Sequence, residues 1–223
     1  MLRVVGTDTG TSSLDLLLLE DGHVADQKRF TPQEIRQEPE ALKQLLASWR
    51  PLDLVAAPSG YGLPLIHGED LTADHVDQMA FVRPDERGRD AGVIGFRSWV
   101  RAFAASGQPL VFLPGGLHLP TIPPHRKINA IDLGTADKVA VAALALWFDA
   151  ENIRGFDRST FAVVELGTVF AAILVVQNGR LVDVAAGTRG PIGARSQGAW
   201  DGELAYWCNP LTKADLFRGG LDD

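Results

Sequence analysis

The sequence predicts an α/β protein whose two lobes open with the same three-stranded unit, and three observations lead there. Short apolar runs bounded by Gly, Pro, Asn and Asp alternate along the chain with stretches of helical character. Asp8-Thr9-Gly10-Thr11 is matched by Glu165-Leu166-Gly167-Thr168, an offset of 157 residues (165 − 8). The same offset carries Asp21-Gly22 onto Asn178-Gly179, Leu17 onto Leu174, Val24 onto Leu181 and Asp26 onto Asp183, without a gap. A single offset that aligns two turns and the strands between them reads as a duplicated hairpin.

The elements follow in order. Leu2 to Thr7 is an extended, mostly apolar run, broken by Gly10 and the polar residues around it. Leu14 to Leu19 is a second run. Asp21-Gly22 is a hairpin turn signal, because both turn positions want positive φ, and His23 to Phe30 returns as a third strand. Pro32 to Arg50 reads as a helix, with Pro32 in its first turn, Glu34 near its positive end and Pro39 as an interruption. Leu52 to Ala57 is a short buried strand. It runs into the loop Pro58-Ser59-Gly60-Tyr61-Gly62, the kind of strand-end loop that often carries ligand contacts in open α/β sheets. Residues 61 to 90 read as polar loop, Val93 to Ala105 as a helix and Leu110 to Leu113 as a strand. Gly115 to Arg126 is too rich in Pro and Gly for long regular structure. Thr135 to Asp149 is the clearest helix, with Val139, Ala142, Ala143, Leu146 and Trp147 on a broad apolar face. Trp99 and Trp147 both read as core. Phe161 to Leu166, Val169 to Gln177 and Leu181 to Ala186 are the last three strands.

Composition narrows the function. The chain has 223 residues, 46% of them hydrophobic and 22% charged, which suits a packed globular protein rather than a disordered one. A formal net charge of −7 disfavours a duplex-binding surface, so no nucleic-acid partner is expected. No apolar run approaches the length of a membrane span, and the start MLRVVGTDTG lacks the pattern of a secretory signal. The expectation is a cytoplasmic protein without a membrane partner. One cysteine, Cys208, leaves no intrachain disulfide and no cysteine-based zinc cluster.

A hairpin opened by acidic-x-Gly-Thr has a physical use. Its turn exposes backbone N–H groups and hydroxyls that can hold phosphate oxygens. A carboxylate at the strand end can organise Mg²⁺, usually through water, because Mg²⁺ dehydrates reluctantly. Two such hairpins would clamp a triphosphate from both sides, which suits phosphoryl transfer. Asp8 is then a metal organiser, or else a turn-capping residue. Gly10, Thr11, Ser12 and Ser13 either contact phosphate or simply form the turn. Glu165 is a second metal organiser, a base, or a strand-end carboxylate in a salt bridge. Asp132 either caps the helix from Thr135, the preferred reading, or faces a cleft.

The run Asp8-Thr9-Gly10-Thr11-Ser12-Ser13, the run Glu165-Leu166-Gly167-Thr168 and the segment Ile131 to Lys138 before the Ala-rich helix resemble, in that order, the first phosphate motif, second phosphate motif and connecting segment of the superfamily of acetate and sugar kinases, heat-shock ATPases and actin. Within it, Pro58 to Pro64, Ile131 to Lys138 and Gly179 to Gly193 are most similar to the predicted butyrate kinase family. The resemblance implies duplicated ribonuclease-H-like lobes, the actin-like ATPase fold. The first lobe spans 1–127, the connector helix 128–149 and a partial second lobe 150–223. It implies ATP and Mg²⁺ as cofactors, with Asp8 and Glu165 at the metal. Gly10, Thr11, Ser12, Ser13, Gly167 and Thr168 are then at the phosphates. A kinase that forms an acyl phosphate needs a cation at its acceptor, and Arg189 is the candidate taken forward, ahead of Arg195, His125 and Arg126. Ser59, Gly60 and Tyr61 are candidate substrate contacts.

Two departures qualify the resemblance. Glu165 stands where Asp is usual, and only 37 residues (223 − 186) follow the second hairpin, leaving little room for the adenosine site. The expected function is an ATP- and Mg²⁺-dependent small-molecule kinase acting on a short-chain carboxylate such as butyrate. The alternative is a non-catalytic member that binds a partner protein. The expected partners are a nucleotide, a small-molecule substrate, and either a second copy of the chain or a partner subunit.

Overall fold

The computed structural model describes residues 1–10, 13–38, 40–81, 83, 85 and 96–222. The chain forms two compact units, Met1–Leu113 and Pro114–Asp223. The Pro-rich loop of 115–126 thus belongs to the second unit, whereas the sequence reading grouped it with the first lobe.

In the first unit, β1 (Arg3–Thr9), β2 (Leu14–Glu20) and β3 (His23–Phe30) form an antiparallel meander. The helix read over 32–50 is two helices, α1 (Pro32–Gln37) and α2 (Glu40–Ser48). Glu38 leaves the helical region (φ −129, ψ 69), as expected of a residue ahead of a proline. Thr31 caps α1 in a reciprocal box with Glu34. β4 (Leu54–Pro58) pairs parallel to β1, and β6 (Leu110–Leu113) pairs parallel to β4. A two-residue strand, β5 (Ile66–His67), adds the far edge, within a stretch read from the sequence as loop. The sheet order is β3-β2-β1-β4-β6-β5. α3 (Ala73–Ala80) and α4 (Phe96–Ala104) complete the unit, and residues 93–95 of the expected helix lie outside the described residues. Alternation along β1 and β2 sends Val5, Leu14, Leu16 and Leu18 to one face, where they pack in a core with Leu42, Leu46, Trp99 and Phe103.

In the second unit, after the short α5 (Pro124–Lys127), α6 (Ala136–Asn152) precedes a three-stranded sheet of β7 (Phe161–Leu166), β8 (Ala171–Gln177) and β9 (Arg180–Ala186). A short helix, α7 (Gly202–Trp207), follows. The core joins Val139, Ala142 and Leu146 of α6 to Leu174, Val176 and Val184 of the sheet. Trp99 is fully buried, but Trp147 is 55% exposed, so the apolar face of α6 is narrower than its sequence suggests.

The duplication holds residue by residue. Val4 opposes Leu19 and Thr9 opposes Leu14 in the first unit; at the same offset Phe161 opposes Val176 and Leu166 opposes Ala171. The β-bulge falls at Leu18/Leu19 and at Val175/Val176, again 157 residues apart. Asp21-Gly22 (φ 49 and 83) and Asn178-Gly179 (φ 50 and 71) share the left-handed turn that the sequence demanded.

Candidate functional site

In the first unit, Asp8 stands exposed near the carboxyl end of β1, directly opposite Asp15 of β2. Asp15 in turn opposes Arg29 of β3. Two carboxylates on one rung repel each other, and the structure answers this at Asp15: Arg29 Nε donates to one oxygen at 2.5 Å and Ser13 Oγ to the other at 2.7 Å. Ser13 therefore anchors Asp15 here. Gly10 follows β1 with room for a side chain, as an added Cβ would come no nearer than 3.5 Å to another atom. Thr11 and Ser12 lie outside the described residues.

The loop after β4 opens on the same sheet edge, because β1 and β4 run parallel. Ser59 is fully buried, and its hydroxyl donates to the Leu113 carbonyl at 2.5 Å, tying the ends of β4 and β6 together. Gly60 has φ 62, and a Cβ there would lie 2.5 Å from the Met79 carbonyl oxygen. Tyr61 donates its N–H to that carbonyl, with its ring 6.0 Å from that of Phe81. Each of the three has a place in the packing of this loop.

In the second unit, the offset takes Asp8 to Glu165, Asp15 to Ala172 and Arg29 to Ala186. Both alanines are buried beneath α6. Where the first unit carries a polar rung, the second thus carries small residues that admit a helix. Glu165 points to that helix-covered face and takes its partner from it: Lys138 Nζ lies 2.5 Å from Glu165 Oε1 and 2.9 Å from Asp137. Burial works against the Lys138 charge, but the Asp137 carboxylate and the hydrogen bond to Glu165 outweigh it, and the amine is held above the ordinary lysine range. Glu165 Oε2 is buried and has no hydrogen-bond partner among the described residues. Of the open readings of Glu165, the salt bridge is the one seen.

The Gly167 N–H donates to the Phe170 carbonyl at 2.9 Å and closes its own turn, while Thr168 is exposed. Arg189 donates to the Val184 carbonyl at 2.9 Å. Arg195 donates to the Thr168 carbonyl and Arg126 pairs with Asp183.

Asp132 corrects a sequence expectation. The N-cap of α6 is Thr135, and Asp132 does not cap that helix. It is buried and accepts from both the backbone N–H and the hydroxyl of Thr188, at 2.9 and 3.2 Å, fixing the turn after β9. Gly187 lets this happen, since a Cβ there would sit 2.2 Å from Asp132 Oδ2. Burial raises the Asp132 carboxyl above the usual carboxylate range, against the pull of the Thr188 hydrogen bonds.

Sequence reasoning gave Lys138 no role at the site. Its place one turn into the helix that follows Ile131 to Thr135 was the available signal, but the pairing with Glu165 spans 27 residues.

The donor set bears on Mg·ATP. Among the described residues, no three His, Cys, Asp or Glu side chains gather as a metal site. Mg²⁺ does not need such a cage, because it is commonly held by one or two carboxylates with water and substrate phosphates. Asp8, exposed at a strand end, fits that role, whereas Glu165 fits it only on release from Lys138.

A family model described as "Protein of unknown function (DUF1464)" matches residues 6–223. In three dimensions the chain is similar to acetate kinase from Porphyromonas gingivalis, with a TM-score of 0.55 and 15% identity over 98% of this chain and 68% of that one. It is similar to acetate kinase from Entamoeba histolytica, with a TM-score of 0.53 and 11% identity over 98% of this chain and 66% of that one. A propionate kinase from Francisella tularensis subsp. tularensis gives a TM-score of 0.56 and 11% identity over 93% of this chain and 64% of that one. The chain thus spans about two thirds of these proteins' length. None of the curated proteins matches its sequence significantly. At these identities the likeness shows the fold alone: an α/β ribonuclease-H-like, actin-like architecture, with a second lobe that is incomplete beside the kinases.

Proposed function

The chain belongs to the DUF1464 family, and we propose that it is a phosphotransferase that uses Mg·ATP and acts on a small carboxylate. The observation that carries this reading is the residue-by-residue duplication of a hairpin that places an acidic residue at the same strand end twice, as Asp8 and Glu165. It sits on a fold shared with acetate and propionate kinases. The similarity of the 58–64 and 131–138 segments to the predicted butyrate kinase family narrows the acceptor to a short-chain carboxylate. When bound, Mg·ATP would supply the phosphoryl group. Asp8 would hold the hydrated cation, and Gly10 and Thr168 would lie against phosphate oxygens. Arg189 would neutralise charge at the acceptor after leaving the Val184 carbonyl.

The test is calorimetric titration of Mg·ATP into the full chain and into Asp8→Ala, followed by phosphoryl-transfer assays with acetate, propionate and butyrate. The expected result is binding that falls at least about tenfold in Asp8→Ala. Binding unaffected by that substitution would remove Asp8 from the site.

One observation favours a second reading, a non-catalytic member that binds a partner protein. The second acidic residue, Glu165, is neutralised by Lys138. Absence of Mg·ATP binding at millimolar nucleotide would support this reading over the first.

A further inference from the structure

The duplication also shows how each unit supplies a cation to its acidic strand end, and here the two differ. In the first unit the cation comes from the hairpin itself: Arg29 of β3 pairs with Asp15, which stands across the rung from Asp8. The matching rung of the second unit sets Ala172 against Ala186, so its hairpin offers no cation there. The cation comes from α6 instead, as Lys138.

Lys138 is held at both ends. Its amine lies 2.5 Å from Glu165 Oε1 and 2.9 Å from Asp137 Oδ2. Its stem lies against the turn before the helix, where Gly134 holds φ 84 and an added Cβ would come within 3.3 Å of Lys138 Cβ. Only 18% of the Lys138 side chain is exposed, and 25% of each carboxylate side chain. The second oxygen of Asp137 accepts from the Thr135 hydroxyl, and the second oxygen of Glu165 is closed to solvent. A Mg²⁺ ion keeps several of its waters, so it needs carboxylate oxygens that water can reach. Three of the four oxygens here are already engaged and the fourth is buried. An ammonium fits where a hydrated ion does not, because its own N–H groups pair directly with both acids.

We infer that Lys138 is the resident cation of the second acidic site and stands where a divalent ion would otherwise sit between Asp137 and Glu165. It is a positioning residue. It draws the two carboxylates together and cancels one of their two charges, just ahead of the turn at Gly167 and Thr168. A bare Glu165 at that place would repel an anion from the turn, and the ion pair lessens the repulsion. The second strand end therefore works through a fixed amine rather than through a metal. The inference describes the chain with or without nucleotide. One consequence rests on the phosphoryl-transfer reading: the nucleotide would arrive with a single divalent ion, held at Asp8.

The test is Mn²⁺ titration of the full chain without nucleotide, read by the electron paramagnetic resonance of the unbound ion, together with thermal melting with and without Mn²⁺. Glu165→Gln should bind Mn²⁺ as wild type does, because the lysine already fills the site. Lys138→Ala should bind one Mn²⁺ more per chain than wild type, and its melting temperature should rise when Mn²⁺ is added. Adding Glu165→Gln to Lys138→Ala should remove that ion again. Lys138→Arg keeps the cation and should not gain the ion. A bound ion that wild type loses on Glu165→Gln would show that metal displaces the lysine, which overturns the inference. A folded Lys138→Ala chain that gains no ion overturns it as well. If Lys138→Ala does not fold, the wild-type and Glu165→Gln titrations decide alone. None of these outcomes depends on ATP, so a chain that meets them yet fails to bind Mg·ATP loses the kinase reading and keeps this one.

Discussion

At the scale of single residues, the two acidic positions picked out by the repeat have different surroundings. Asp8 is exposed on a rung whose second carboxylate is held by Arg29, while Glu165 is half-buried against Lys138. The acid-x-Gly-Thr spacing shows that both sit at strand ends. It is silent on what packs over them, since that depends on the residues at offset positions 15 and 172. Asp132 gives a prediction of its own. Its carboxyl holds a proton in the folded chain at pH values where the unfolded chain has lost it, because burial raises it above the ordinary 3.8. The folded state therefore binds more protons than the unfolded state above that value, and the contribution of Asp132 to stability falls as pH rises. Asp132→Asn keeps an acceptor for Thr188 but has no charge to bury. Its melting temperature relative to wild type should rise as the pH climbs above the ordinary carboxylate value and level off once the folded carboxyl ionises. A difference that does not change with pH would show that Asp132 ionises in the fold as it does in water.

At the scale of elements, the two hairpins share register, bulge and turn but differ in what lies beside them. Gly22 and Gly179 both hold left-handed backbone (φ 83 and 71). A Cβ at Gly22 meets nothing within 4 Å, whereas at Gly179 it would lie 2.5 Å from the Phe156 carbonyl oxygen. Gly22→Ala should thus cost only the backbone strain, about 1–2 kcal/mol. Gly179→Ala should cost at least about 1 kcal/mol more from the added collision. Urea unfolding of the two variants measures the difference, and equal losses would place the whole cost in φ. The turns themselves were legible, because Asp-Gly and Asn-Gly are among the few pairs that accept positive φ at both positions. The break between α1 and α2 was marked by Pro39. β5 was not legible, since two residues carry no periodicity.

At the scale of the whole molecule, each unit buries a core drawn from its own residues. The first core uses residues up to Phe112, and the second begins at Leu117. A chain of residues 1–113 should therefore fold alone, with mixed α/β circular dichroism and a cooperative urea transition. A non-cooperative transition would show that the first unit borrows stability from the second. The sequence placed the end of the first lobe at 127, after the Pro-rich loop. The structure places Ile122, from that loop, in the second core instead.

The sequence by itself determined the duplication and the turns, and most strands to within two residues of their ends. These follow from local rules: alternation sets strands, and positive φ selects Gly, Asn and Asp. Only the tertiary structure decided which faces are covered. Helical periodicity put Trp99 and Trp147 on apolar faces alike, yet one is buried and the other stands 55% exposed. An apolar stripe records what a residue would bury, not whether a neighbour arrives to bury it. The partner of Glu165 lies 27 residues away and that of Asp132 lies 56, and no local rule reaches so far. The packing of α6 on its sheet sets the first pairing, and the left-handed Gly187 turn sets the second.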